Sequence, residues 1–436
     1  MPCLWPCAVF FGPARERTEE FMQVLFKNAS VYENGEMKKQ DMLFDGAALS
    51  RFSSSAVCGD LVTVDNCIIL PGFCDVHVHF REPGFSYKET MESGSAAAAH
   101  GGYTAVMTMP NLSPVPDSVP NILAEKKRID EGALIPTYPY AAISIGERGE
   151  ELSDMEALAE YTLAFSDDGR GVQSDELMEE AMRRAKRLGK IIAAHCEVNS
   201  LLRGGYIHDG EYAKRMGHRG ICSESEFGQI ERDIGLVRKT GVSYHVCHVS
   251  AKESVELIRR AKAEGLDVTA ETAPHYLTLD EGDLIEDGRF KMNPPLRAAE
   301  DRLALIEGIL DGTIEMIATD HAPHSAEEKS RGLAGSLMGV VGLECAFPVL
   351  YTKLVMTGVI TLPKLVELLS ENPRKRFGIE SDPGFTVFSA EEYEIDPESF
   401  LSMGRATPFS GMRVFGRCLA TVTGGKAVYI DEKILR

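Results

Sequence analysis

The sequence predicts an α/β protein built as a (β/α)8 barrel of the TIM type, with a small discontinuous β-sandwich domain formed by its N- and C-terminal segments. Three observations carry this expectation. Eight apolar strand-like runs alternate with amphipathic helical stretches through the middle of the chain, the pattern of a closed parallel sheet covered by helices. Both ends read instead as short β-like runs without helical periodicity. At 436 residues the chain has room for one such barrel and an appendage.

Taken in order, residues 1–21 contain prolines and cysteines followed by a charged run, Arg15 to Glu20. The apolar run 4–11 is short, broken by Pro6 and has no basic region before it, which argues against a signal peptide. A disordered extension or a misplaced start is expected there, with Met22 opening the first strand. Residues 22–70 read as the N-terminal part of the small β domain, with β-like runs at 24–26, 42–44 and 61–64 and a turn at Glu33-Asn34-Gly35. Residues 71–375 read as the barrel, its strands expected at 72–79, 103–109, 137–143, 161–166, 191–196, 243–248, 267–272 and 315–319. Helical patterns at 174–188, 225–239, 252–264 and 300–310 separate them, and two more near 343–356 and 362–369 lead to the returning β segment, 376–436. Within that segment residues 412–430 are strand-like around a Gly424-Gly425 hairpin turn. Pairing of the two ends with each other would cover edges that otherwise lie bare.

Composition narrows the function classes. A net charge of −20, from 66 acidic and 46 basic residues, disfavours nucleic acid or an anionic membrane as partner. No stretch is long enough to span a membrane. Ten cysteines follow no metal-finger or Cys-x-x-Cys spacing, which points to a reducing, cytoplasmic setting.

His77-Val78-His79 places two imidazoles on one side of a strand. Alone, this pattern also fits two histidines hydrogen-bonded within a sheet. Barrel enzymes, however, carry catalytic groups at the carboxyl ends of their strands. His77 and His79 end the first run, Asp167-Asp168 follow the fourth, His195 lies at the end of the fifth, His248 ends the sixth and Asp320 follows the eighth. Buried carboxylates need partners, so this convergence has no economical reading as core packing. Imidazole and carboxylate ligands suit zinc, and six of them exceed what one four-coordinate ion with an open position needs. Two zinc ions per chain are expected, about 3.5 to 4 Å apart with a carboxylate shared between them.

The wider set of motifs comprises His77-Val-His79-Phe-Arg81-Glu-Pro-Gly, Met109-Pro-Asn111, Phe165-Ser-Asp-Asp168-Gly, His195-Cys-Glu, His245-Val-Cys-His248, Lys291-Met-Asn293-Pro-Pro-Leu-Arg297 and Ala318-Thr-Asp320-His-Ala-Pro-His324. Together these resemble the amidohydrolase superfamily and, more narrowly, dihydroorotases of the longer bacterial type, over roughly residues 22–429. The resemblance implies zinc-dependent, reversible cyclisation of N-carbamoyl-L-aspartate to L-dihydroorotate in pyrimidine synthesis. It implies His77, His79 and Asp320 on one zinc, His195 and His248 on the other, and Asp168 rather than Asp167 between them. Asp320 would also act as general base and acid. Arg81, Asn111, Asn293 and His324 would hold the substrate, whose carboxylate suits a guanidinium. The family's Ala-Pro-Phe-Gly loop, whose backbone touches the ring, is replaced here by Ser336-Leu337-Met338-Gly339, so Met338 and Gly339 take that place. A second departure, at 379–394, concerns the β domain.

Hydantoinases and many allantoinases use a carboxylated lysine as the bridge; the fourth run here ends in Asp-Asp-Gly with no lysine. Cyclic amidohydrolases of those types, and a non-catalytic homologue partnering aspartate transcarbamoylase, are the competing readings. A homodimer, and association with aspartate transcarbamoylase, are what the resemblance suggests about assembly. His100, His208, His218, His245, His275 and His321 read as structural or supporting residues. Cys196 and Cys247 alternate to the face opposite the ligands and read as small core residues.

Overall fold

In the computed structural model, which describes residues 23–46, 48–53 and 61–435, eight parallel strands close into a barrel. They are Phe73–Val78, Tyr103–Thr108, Thr137–Pro139 continued by Ala141–Ala142, Ala164–Ser166, Ile191–Ala194, Ser243–Val246, Val268–Thr272 and Met316–Ile317. Each falls inside one of the apolar runs, because a strand covered on both faces must be apolar on both. The third strand is interrupted at Tyr140, whose N–H still donates to the Thr108 carbonyl at 3.0 Å and whose hydroxyl donates to Val76 at 3.0 Å. Closure between the last and first strands comes from the Val78–His321 bridge, from His79 N–H donating to His321 at 2.9 Å and from Thr319 N–H donating to the Asp75 carboxylate at 3.0 Å. Cys74, Val76, Ala105, Met107, Tyr140, Ala193, Cys247 and Met316 fill the interior, so the barrel is a packed core beneath its rim.

The helices form where the periodicity places them. Asp175–Leu188 starts on Ser174, whose hydroxyl accepts from Leu177 N–H, and stops at Gly189 with φ 66°. Glu224–Thr240, Lys252–Ala263 and Ala299–Asp311 cover successive strands. The two connecting helices each change winding partway, at Tyr351–Val355 and Glu367–Glu371.

The two ends of the chain meet in one eight-stranded sheet, in the order Lys426–Ile430, Cys418–Thr423, Phe385–Phe388, Ile68–Pro71, Gln23–Glu33, Glu36–Phe44 and Leu49–Arg51, with Leu61–Asp65 also paired to Gln23–Glu33. Phe385–Phe388, from the segment that departs from the family pattern, joins the two halves by pairing antiparallel with both Ile68–Pro71 and Cys418–Thr423. The long first strand is irregular around Asn28, at φ 51°. Before that point it pairs with Leu61–Asp65, after it with Ile68–Ile69, so the sheet turns there. Val24, Phe26, Val31, Ile69, Val387, Leu419 and Val422 form its core. Gly424 and Gly425, at φ 57° and 71°, make the hairpin turn. The expectations for residues 1–21 and for Met22 lie outside the described residues. Among the described residues no helix is long and apolar enough to cross a membrane.

One buried carboxyl group makes stability depend on pH. Glu125, on helix Val119–Gly132, is 1% exposed, accepts from the Thr108 hydroxyl at 2.8 Å and leaves its other oxygen without a partner. Burial pushes its carboxyl up to about 8. A raised folded-state value means that the contribution to stability is full below the unfolded value near 4.5 and is lost as pH rises towards about 8, at roughly 1.4 kcal/mol per pH unit. Glu125→Gln is therefore expected to raise the melting temperature at pH 8 and to change it little at pH 4.5. Equal shifts in thermal scans at both pH values would remove this account.

Candidate active site

At the carboxyl rim the strand ends bring six expected ligands together. His77 is fully buried, and its Nδ1 lies 2.7 Å from Glu271 Oε1. His79 Nδ1 lies 2.9 Å from Asn111 Oδ1. With Nδ1–H donating in both rings, each Nε2 lone pair faces inward. His77 Nε2 lies 3.4 Å from Asp168 Oδ1 and 3.6 Å from Asp320 Oδ1; His79 Nε2 lies 3.5 Å from Asp168 Oδ2 and 3.1 Å from Asp320 Oδ1. On the other side, His195 Nδ1 and His248 Nε2 are 2.9 Å apart and sit 3.7 and 3.6 Å from Asp168 Oδ1. Asp168 thus belongs to both donor groups, His77–His79–Asp168 and Asp168–His195–His248. Asp167 points elsewhere: its Oδ1 accepts from Ile143 N–H at 2.8 Å and Ser144 N–H at 3.0 Å, and its Oδ2 accepts from the Ser144 hydroxyl.

This set fits metal ions. His77 Nε2 and Asp168 Oδ1 are buried without a hydrogen-bond partner, which is costly for polar atoms unless a ligand takes them. The donor chemistry, imidazole nitrogen and carboxylate oxygen, suits divalent metal ions. Burial opposes their charges, yet the Asp168 and Glu271 carboxylates hold His77 well above its usual value, and His77 and His248 hold Asp168 well below the carboxylate range. Asp320 is likewise held low, by His79 above all, despite its burial.

The backbone is strained where it aims these groups. Arg81, His248 and Asp320 have φ of 61°, 33° and 47°, left-handed conformations that cost about 1 kcal/mol or more each for residues with a Cβ. His248 and Asp320 lie just beyond the ends of Ser243–Val246 and Met316–Ile317, where sheet geometry no longer dictates side-chain direction.

All six expected substrate contacts line one cavity of about 210 Å³ together with His79, Asp168, His195, His248 and Asp320. Arg81 donates through Nη1 to Asn111 Oδ1 at 3.4 Å and through Nε to the Pro323 carbonyl at 3.3 Å. Asn111 Nδ2 donates to Asp168 Oδ2 at 3.3 Å, and Asn293 Nδ2 to Glu197 Oε1 at 2.9 Å. His324 Nε2 lies 2.7 Å from the Met338 carbonyl and its Nδ1 3.2 Å from Lys88 Nζ. Burial, with Arg81 and Lys88 nearby, pushes His324 down to about 3, so its ring is neutral, with Nε2–H donating to Met338. Gly339 has φ 133°, and a Cβ there would come within 2.7 Å of the Ala322 carbonyl and 3.0 Å of His324 Nε2, so this position accepts only glycine.

The remaining histidines take supporting places. His245 Nε2 lies 3.1 Å from Glu271 Oε2 and His321 Nε2 3.4 Å from Glu89. Cys196 faces away from the ligands, beside the Tyr244 hydroxyl at 3.4 Å. Cys247 does not: it lies inside the barrel, grouped with His77 and Glu271. Strict alternation fails there because His248 leaves the strand conformation. Sequence reasoning also missed Glu271, which orients both His77 and His245, and Glu197, which holds Asn293. Glu271 lies near the carboxyl end of the seventh strand, so the rule that marks the expected ligands marks it as a rim residue too.

A family model described as dihydro-orotase-like matches residues 66–254. A dihydroorotase of Fusobacterium nucleatum is 47% identical over 421 residues, covering 94% of this chain and 99% of that protein. One of Bacillus cytotoxicus is 45% identical over 427 residues, covering 95% and 100%. Among solved structures, an L-hydantoinase from Arthrobacter aurescens superposes with a TM-score of 0.79 at 25% identity, covering 93% of this chain and 96% of that one. A dihydropyrimidinase from Brevibacillus agri gives 0.78 at 23%, covering 94% and 96%.

Proposed function

The chain belongs to the dihydroorotase family, and from that premise we propose that the rim site catalyses the reversible cyclisation of N-carbamoyl-L-aspartate to L-dihydroorotate with two zinc ions per chain. The observation that carries the reading is that five of the six ligand-type residues line one cavity with the six substrate-type residues, while the sixth, His77, lies 3.4 Å from Asp168 and 3.6 Å from Asp320. His77, His79 and Asp320 would hold one ion, His195 and His248 the other, with Asp168 shared. Bound zinc supplies Lewis acidity and makes water a nucleophile near neutral pH.

The chain's own residues do the rest. Arg81, with Asn111 and His324 beside it, holds the substrate carboxylate, while Asn293 and the backbone of Met338 and Gly339 face the ring. In ring opening, water adds to the amide carbonyl carbon, the ring C–N bond breaks and the nitrogen leaves with a proton. Asp320 takes the proton from the attacking water and returns it to that nitrogen; cyclisation runs the same transfers backwards. Glu271 keeps the proton of His77 on Nδ1, so that Nε2 stays a donor to metal.

The hydantoinase and allantoinase readings lack their bridging lysine: the fourth run carries no lysine there, and Asp168 belongs to both donor groups. The scaffold reading has to account for a full set of ligands. A division into a barrel at 71–375 and a β domain from 22–70 and 376–436, a homodimer, and association with aspartate transcarbamoylase remain parts of the proposal. A reducing cytoplasm also remains part of it, supported by seven free thiols among the described residues.

The purified protein is expected to hold about two zinc ions per chain and to turn over both dihydroorotate and carbamoyl aspartate. Metal analysis with assays in both directions checks this. Faster turnover of a hydantoin or allantoin would reassign the substrate, and absence of both metal and turnover would favour the scaffold.

A further inference from the structure

One lysine beside the cavity is used by neither the expected ligands nor the expected substrate contacts. Lys329 ends the short helix Ala326–Lys329 and is 7% exposed. A buried ammonium is tolerated when each of its three N–H groups finds an acceptor. Here Nζ donates to the carbonyls of Lys291 at 3.0 Å, Leu337 at 2.8 Å and Gly339 at 2.6 Å. Two of these acceptors flank Met338, whose own carbonyl accepts from His324 Nε2. The third stands two residues before Asn293, and it also accepts from Gly339 N–H at 3.0 Å. One side-chain amino group therefore ties together two adjoining chain segments at the edge of the cavity.

We propose that Lys329 is a positioning residue for the reaction: its side-chain amino group clamps loop 337–339 to Lys291 and so sets the Met338–Gly339 backbone and Asn293 against the substrate ring. This rests on the reading of the site given above. The loop needs such a clamp because Ser336-Leu337-Met338-Gly339 contains neither a proline to limit its freedom nor an aromatic ring to anchor it. The partners are all backbone oxygens, so the clamp acts on chain position whatever side chains the loop carries.

Lys329→Met keeps the aliphatic stem and removes all three donors. It is expected to raise KM for dihydroorotate about tenfold with a smaller change in kcat and with zinc per chain unchanged. Amide hydrogen exchange in peptides covering residues 336–342 should accelerate about tenfold, while peptides from the barrel strands exchange as before. Lys329→Gln, which retains part of the donor set, should fall between the two and serves if the methionine variant does not fold. Unchanged exchange at 336–342 together with unchanged KM overturns the clamp, as does a loss of zinc that accounts for the lost activity. Absence of dihydroorotate turnover by the wild-type protein overturns the functional reading instead, and the exchange measurement still decides the clamp.

Discussion

Replacing Asp320 with asparagine is expected to lower kcat for ring opening by about 10² to 10⁴-fold, the range that a positioned general base supplies. Asparagine keeps the shape and one oxygen near His79 Nε2 (3.1 Å in the wild type) and His77 Nε2 (3.6 Å), so most of the metal should remain. It cannot carry the proton. Neighbouring imidazoles hold the Asp320 carboxyl low despite its burial, so it is ionised near neutral pH and ready to accept. Ring opening should consequently weaken as pH falls and the carboxylate is protonated, whereas cyclisation, which needs the proton in place, should be favoured by acid. Turnover in both directions, measured beside zinc content, separates the roles. Near-normal turnover by the variant excludes Asp320 as the base, and loss of zinc in step with activity makes it a ligand only.

The convergence of the expected ligands was legible in the sequence because a parallel barrel imposes one rule on distant residues. Each strand delivers its C-terminal side chains to the same rim, so the eight apolar runs by themselves place His77, His79, Asp168, His195, His248 and Asp320 together there. The family resemblance then chose Asp168 over Asp167, and the structure gives the physical difference: Asp167 is engaged by Ile143 and Ser144. Residues whose role exists only through a partner far along the chain were not legible. Glu271 lies 194 positions from His77: its place near the end of Val268–Thr272 marks it as a rim residue, but nothing local shows that it orients His77. Lys329 resembles any lysine at a helix end until its three carbonyl partners are seen. Cys247 shows the limit of strand alternation: the rule holds through Val246 and fails where His248 turns to φ 33°. The β-rich unit was legible as two strand-like ends. Its internal order was not, because that order depends on the kink at Asn28 and on Phe385–Phe388 bridging the halves.

Arg81→Met should separate substrate recognition from metal chemistry. Arg81 lines the cavity two residues beyond His79, with its guanidinium held by Asn111 and the Pro323 carbonyl. No carboxylate is among its hydrogen-bond partners in those contacts, so the charge is available to an anionic substrate. Two charge-assisted hydrogen bonds to a carboxylate contribute about 3 kcal/mol together. Their loss should lower kcat/KM for dihydroorotate about a hundredfold or more, mostly through KM, since the carboxylate does not react. Dihydrouracil has the same ring without that carboxylate, and its turnover, however slow, should change by no more than about threefold, because for it the guanidinium contributes no ion pair. Zinc content should not move, as Arg81 donates to no expected ligand. A parallel loss on both substrates would make Arg81 a support for the Asn111–His79 contact instead, whereas a loss confined to dihydroorotate would place specificity in the same short stretch, residues 77–81, that carries two of the expected metal ligands.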